Sequence, residues 1–112
     1  MKAVFHLSSG DAEMHTRVVN NVANLLDDET VDLESVALVA NSGGLGLLLD
    51  DSERRERVEE LQERGVVFKQ CANTLVGTDI DESNLVDGVE LVSSGVGELT
   101  RLQDAGYAYI KP

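Results

Sequence analysis

Short apolar runs and amphipathic stretches alternate along the whole chain. KAVFHL (2–7) is apolar-rich and stops at SSGD, which predicts a strand followed by a turn. From Asp11 onward Met14, Val18, Val22 and Leu25 recur at helical spacing, with Leu26 widening the stripe, and DDET (27–30) ends the helix. SVALVA (35–40) is a second strand bounded by NSGG, and GLGLLL reads as a loop or short helical turn. Ser52 is placed to cap a charged helix over 53–64, in which Glu53/Arg57, Arg55/Glu59 and Glu60/Arg64 stand four apart. Only Val58 and Leu61 point inward there. Gly65 stops that helix, and VVFKQC (66–71) is the third strand. The acidic stretch TDIDESNLVDG predicts a short helix and loop, and VELVSS (89–94) a fourth strand. Val96, Leu99 and Leu102 mark one face of a last helix ended by Gly106. YAYIK (107–111) closes as a fifth strand, which Pro112 cannot extend as a donor.

Near-continuous apolar strands separated by helices are what a parallel sheet covered on both faces requires. The expected architecture is therefore α/β, a three-layer α/β/α sandwich with a five-stranded parallel sheet and right-handed connections. At 112 residues, with no linker, repeat or low-complexity tract, residues 1–112 read as a single domain.

Charge changes the picture of the surface. Twenty-one Asp and Glu stand against nine Lys and Arg, a net charge of −12, and only three of the basic residues are Lys. No basic patch exists to neutralise phosphates, which argues against nucleic acid as a partner. Acids dispersed over all segments suit a high-salt environment, where self-repulsion is screened; a surface for a basic partner is the other reading. No run of 18 apolar residues predicts a membrane span. The N-terminus turns polar after seven residues, unlike a secretory signal, and the one cysteine has no internal partner. Both point to an intracellular, cytoplasmic protein.

Ligands of open α/β sheets bind beyond the carboxyl ends of the strands. Those ends are His6–Asp11, Asn41–Leu45, Cys71–Thr74 and Ser93–Gly95. Cys71 falls where the third strand gives way to a helical turn, whose N–H groups would lower a thiol's pKa. Asn73 and Thr74 are placed to donate further hydrogen bonds to a sulfur anion. A buried packing cysteine is the competing reading. Several chemistries are excluded. A thiol phosphatase loop needs an Arg six residues after its Cys, where Gly77 stands. A CxxC redox pair would need a thiol at Thr74. A receiver domain needs an Asp where Cys71 is, and acids where His6-Leu7-Ser8-Ser9 follow the first strand. A flavin site would want aromatics in its loops, and Phe5, Phe68, Tyr107 and Tyr109 lie elsewhere. GGLG (43–46) lacks the trailing Lys and Ser/Thr of a phosphate loop, leaving a mobile or tightly turning backbone. His6 reads as a packed or hydrogen-bonded residue rather than a base. Either His6 or His15, the latter near the first helix's N-terminus, would help a thiolate only if folded near Cys71. No metal-ligand spacing joins His6, His15 and Cys71, and no cofactor fingerprint is present, so neither metal nor cofactor is expected. Tyr107 and Tyr109 share a strand face suited to packing.

HLSSGDAEMH after the first strand, CANTL after the third and SGVGELTRLQDAGYAYIKP at the end together resemble small members of the DsrE/DsrF-like family. The resemblance runs the whole length and implies the same five-stranded fold, assembly as a homo-oligomer (trimer or hexamer), and sulfur carried as a persulfide on one cysteine. That role carries over onto Cys71, with sulfur donor and acceptor proteins as partners. Asn73 and Thr74 would hold the anion, with Ser8, Ser9 and Ser94 as outer wall residues. The alternative is a non-enzymatic, oligomeric small-ligand-binding module in which Cys71 lines the crevice. Leu47, Leu48 and Leu49, expected to be exposed near a loop, add to the expectation of assembly.

Overall fold

The computed structural model describes residues 1–112. The strands are β1 (Lys2–Leu7), β2 (Ser35–Ala40), β3 (Val67–Cys71), β4 (Glu90–Val92) and β5 (Tyr107–Ile110). The helices are α1 (Ala12–Asp27), α2 (Leu45–Leu48), α3 (Arg55–Glu63), α4 (Ala72–Leu75) and α5 (Gly95–Asp104), with single tight turns at Ser42–Gly44 and Glu82–Asn84. All strands are parallel, in the order β4-β3-β2-β1-β5. The chain steps outward from β1 to β4, then α5 carries it back across the sheet to the far side of β1.

Strand alternation divides the side chains between two faces. Phe5, Leu7, Val36, Leu38, Ala40 and Phe68 join Val18, Val19 and Val22 of α1, the leucines of α2, and Val58 and Leu61 of α3 in the larger core. Val4, Ala37 and Val39 face the other way, onto Leu99 and Leu102 of α5, with Tyr107 at the margin. Both faces are covered, as the continuous apolar strands required. The covering is unequal, and α5 alone makes the second helical layer.

Several local expectations shift. Leu47 and Leu48 are fully buried and Leu49 partly so, because residues 45–48 close a helical turn onto the core instead of hanging in a loop. That removes them as an argument for assembly. Val96 is 68% exposed, since Gly95, Glu98, Leu99 and Leu102 form the buried stripe of α5. In α1 the buried residue is His15 while Met14 is only partly covered; His15 Nε2 lies 2.7 Å from the Ser9 carbonyl, which satisfies its polar end. Helix α3 starts at Arg55, later than expected, and the Ser52 hydroxyl accepts instead from the Arg54 N–H. Of the three charge pairs foreseen on it only Arg55–Glu59 forms: Glu53 lies before the helix begins, and Arg64 reaches across to Asp27. The fourth strand shortens to three residues.

Candidate functional site

Cys71 is both the last residue of β3 and the N-cap of α4, with extended backbone at φ −65°, ψ 121°. The first N–H groups of any helix lack intrahelical acceptors, and those at the second and third positions face the cap side chain. Here these belong to Asn73 and Thr74, and a sulfur stands where a capping oxygen would ordinarily be. A third donor arrives from far along the chain. Cys71 pairs with Val92 across the sheet, so the end of β4 and the start of α5 lie beside it, and the Gly95 amide is among the groups that act on the thiol.

Burial pushes the Cys71 thiol up, as desolvation of an anion must, and the residue is only 6% exposed. The Gly95 amide, the Thr74 hydroxyl and the Thr74 and Asn73 amides together outweigh that, leaving the thiol below its ordinary value. No short capping bond is made to the sulfur by any one group. The effect comes from convergence of several donors that favour the anion. Helix α4 is one turn long, so its local N–H groups act rather than a macrodipole; α5, at ten residues, adds the positive end of a longer helix.

Thr74 is held from its other side. The Ser42 N–H donates to Thr74 Oγ1 at 3.0 Å, which leaves the hydroxyl proton free for the sulfur. Ser42 is the only non-glycine residue at positive φ, +48°, so a sparsely populated conformation sits beside the thiol. The following glycines are required by close approach. A Cβ at Gly43 would lie 2.3 Å from the Gly10 nitrogen, and one at Gly44 2.2 Å from the Leu7 carbonyl oxygen. The GGLG stretch thus locks the loops after β1 and β2 together.

Asn73 thus acts on Cys71 through its backbone amide alone, and Thr74 through both its amide and its hydroxyl. Ser94 does so indirectly: its hydroxyl caps α5 by accepting from the Gly97 N–H at 3.0 Å, which sets the helix start that presents Gly95. Ser8 and Ser9 line a separate small cleft with His6, Met14 and Lys111, and the Ser9 hydroxyl accepts from the Asp11 N–H. None of the clefts on the molecule is lined by Cys71. His6 lies on the α5 face with one ring nitrogen 2.6 Å from the Tyr109 hydroxyl and the other 3.1 Å from Asn41 Oδ1. His15 is on the opposite side of the sheet from Cys71, and His6 is separated from it by β2.

Sequence reasoning missed Gly95 as a donor and Lys69 and Glu98 altogether. Lys69 stands two residues before Cys71 on the same face, and its ammonium meets Glu98 Oε2 at 2.5 Å; Arg101 holds the other carboxylate oxygen at 2.8 Å. The available signal was a lysine in an apolar strand, which must find a carboxylate if it points inward.

The model of the DsrE/DsrF-like family matches residues 1–112. Among solved structures, MTH1491 from Methanobacterium thermoautotrophicum, a protein of unknown function, is 40% identical. The match covers 99% of this chain and 98% of that one, with a TM-score of 0.91. BT1422 from Bacteroides thetaiotaomicron, a conserved protein of unknown function, shares the fold at 12% identity and a TM-score of 0.77, covering 99% and 94% of the two chains. No curated protein matches. With the family pattern running from the first residue to the last over the sheet and cysteine turn just described, the chain belongs to the DsrE/DsrF-like family, a family associated with sulfur relay.

Proposed function

We propose that this protein carries sulfur as a persulfide on Cys71 and passes it between protein partners. The observation that carries the reading is the place of Cys71 at the start of α4 and beside the start of α5, where the Gly95, Thr74 and Asn73 amides and the Thr74 hydroxyl outweigh burial and hold the thiol below its ordinary value. A thiolate is the form that attacks in sulfur exchange, and a single cysteine suffices for carriage. In the loading step the Cys71 thiolate attacks the outer sulfur of a donor persulfide. The donor's S–S bond breaks, a new S–S bond forms at Cys71, and the donor leaves as a thiolate. In unloading, an acceptor thiolate attacks that outer sulfur and Cys71 leaves as a thiolate. Neither step needs an external oxidant or reductant. The same donors that hold the free thiolate make Cys71 a good leaving group, so one arrangement serves both directions. The alternative, a small-ligand module with Cys71 lining its crevice, has no cleft at Cys71 to support it.

Assembly as a trimer or hexamer belongs to the same reading. Its support is the exposed apolar side chains of Leu91, Val96 and Tyr109, and light scattering at high salt tests it. The test of carriage is the intact mass of native protein after incubation with inorganic polysulfide, beside Cys71→Ser. A gain of about 32 Da on the wild type only, reversed by reductant, is expected. No adduct on a thiol that also resists alkylation until unfolding would make Cys71 a packing residue.

A further inference from the structure

The polar residues at the carboxyl ends of β1, β2 and β5 form a chain that the sulfur chemistry above does not use. His6, Asn41 and Tyr109 all fall on the α5 face, in phase with Val4, Val39 and Tyr107. Asn41 lies one residue beyond the Ala40–Gln70 pair, which sets it beside Cys71 at the neighbouring strand end. One nitrogen of His6, Nδ1, is 2.6 Å from the Tyr109 hydroxyl, and Nε2 is 3.1 Å from Asn41 Oδ1. With Tyr109 donating to Nδ1, the ring proton sits on Nε2 and donates to Asn41. That fixes which way the Asn41 amide faces. Its Nδ2 then lies over Gly95, 3.3 Å from where a Cβ of that residue would stand, with the Asn41 Cβ at 3.4 Å. The Asn41 side chain thus packs tightly over Gly95, leaving a side chain there room only if Asn41 gives by a few tenths of an ångström, and the Gly95 amide is one of the groups that lower the pKa of the Cys71 thiol.

We propose that Asn41, held by the His6–Tyr109 pair, is a positioning residue that fixes the Gly95 N–H against the Cys71 sulfur. The inference rests on Cys71 working as a thiolate, and it is independent of what the thiolate attacks. Of the charged groups on this face, Lys69, Glu90, Glu98 and Arg101 are paired with one another, and Lys2 lies at the far end of the sheet, donating to the Ala105 carbonyl. A change in the thiol's pH profile on altering the neutral Asn41 is therefore a change in its hydrogen-bond donors.

The test is the rate of alkylation of native Cys71 by iodoacetamide as a function of pH, with circular dichroism to establish folding. Asn41→Ala and His6→Leu are each expected to slow alkylation at pH 7 about threefold or more and to move the profile to higher pH, because the thiolate fraction sets the rate. Gly95→Ala should slow the wild type, since its Cβ must push Asn41 or the helix start aside, yet add little to Asn41→Ala. Tyr109 is an exposed residue on an edge strand, so Tyr109→Phe keeps the test usable if the inner variants do not fold; about a twofold slowing is expected. A merely structural role would lower the melting temperature and leave the profile where it was. Wild-type profiles in folded Asn41→Ala, or in Tyr109→Phe where Asn41→Ala does not fold, overturn the proposal, as does strict additivity of Asn41→Ala with Gly95→Ala. A protein that never accepts sulfur from polysulfide, yet shows these profile shifts, would overturn carriage and leave the positioning role standing.

Discussion

Replacing Thr74 by valine removes one hydroxyl from a site that uses it twice. The oxygen accepts from the Ser42 N–H at 3.0 Å, and the proton faces the Cys71 sulfur. Valine keeps the shape and loses both. An ordinary net hydrogen bond contributes about 1 kcal/mol, and bonds to charged groups more. Sulfur is a weak acceptor, so about 1 kcal/mol of preference for the thiolate is the appropriate figure, a factor of about five in its population. Alkylation by iodoacetamide at pH 7 should slow about fivefold, with the pH profile moved upward. The Ser42 contact is near the surface and water can replace it, so the cost in stability stays at or below about 1 kcal/mol, or about 4 °C in melting temperature. Thr74→Ser restores the hydroxyl and should restore most of the rate. A Thr74→Val profile that superimposes on the wild type would refute the account of how this thiol is held.

Two further changes act away from the sulfur. Glu98→Gln leaves Lys69, whose side chain is 15% exposed, with only Glu90 at 3.8 Å, and should cost about 3 kcal/mol in urea unfolding. Lys69→Met should cost less, because Glu98 keeps Arg101. The Lys69 hydrogen bond holds the Glu98 carboxyl below its usual range, against desolvation and with help from Arg101. Its contribution is therefore present above the unfolded value, near about pH 4.3, and lost as pH falls through the folded one, so the wild type should lose stability more steeply in acid than Glu98→Gln. Gln70 is fully buried with Oε1 lacking any donor, while its Nε2 donates to the Cys71 carbonyl at 3.2 Å. Gln70→Met removes the orphan acceptor and should raise the melting temperature slightly; a clear fall would mean that the amide's bond to Cys71 outweighs the orphan.

How much was legible in the sequence depends on distance along the chain. The strands could be read because SVALVA and KAVFHL are apolar at nearly every position, the mark of burial on both faces. Asn73 and Thr74 were legible because a residue at a helix start meets the amides two and three positions on. Gly95 was not, since it reaches Cys71 only through the pairing of β3 with β4. The stripe of α5 shows the same limit. Counting apolar residues selects Val96, Leu99 and Leu102, whereas the buried set is Gly95, Glu98, Leu99 and Leu102. A glycine and a glutamate belong inside because Asn41 packs closely over one and Lys69 neutralises the other. In α1 the same reasoning prefers Met14 to His15, and the Ser9 carbonyl reverses it.

These departures fall on one face of the sheet more than the other, and the geometry there ties stability to chemistry. Lys69 and Cys71 are two residues apart on β3, about 7 Å along the strand. Their partners Glu98 and Gly95 are three residues apart on α5, about 4.5 Å along the helix. The ion pair and the amide–sulfur contact are thus two rungs between the same strand and the same helix, and the stronger rung sets the register of the weaker. Glu98→Gln should then slow Cys71 alkylation even where the protein is fully folded, because α5 is freed to shift at its start. Leu102→Ala removes a buried side chain one turn further along α5 and costs stability by leaving a cavity, with both rungs intact. Its folded state should alkylate like the wild type. Equal slowing in both variants would mean that reactivity follows overall stability and that the charge pair has no particular hold on the thiol; slowing in Glu98→Gln alone would mean that the pair positions the helix that the thiolate needs.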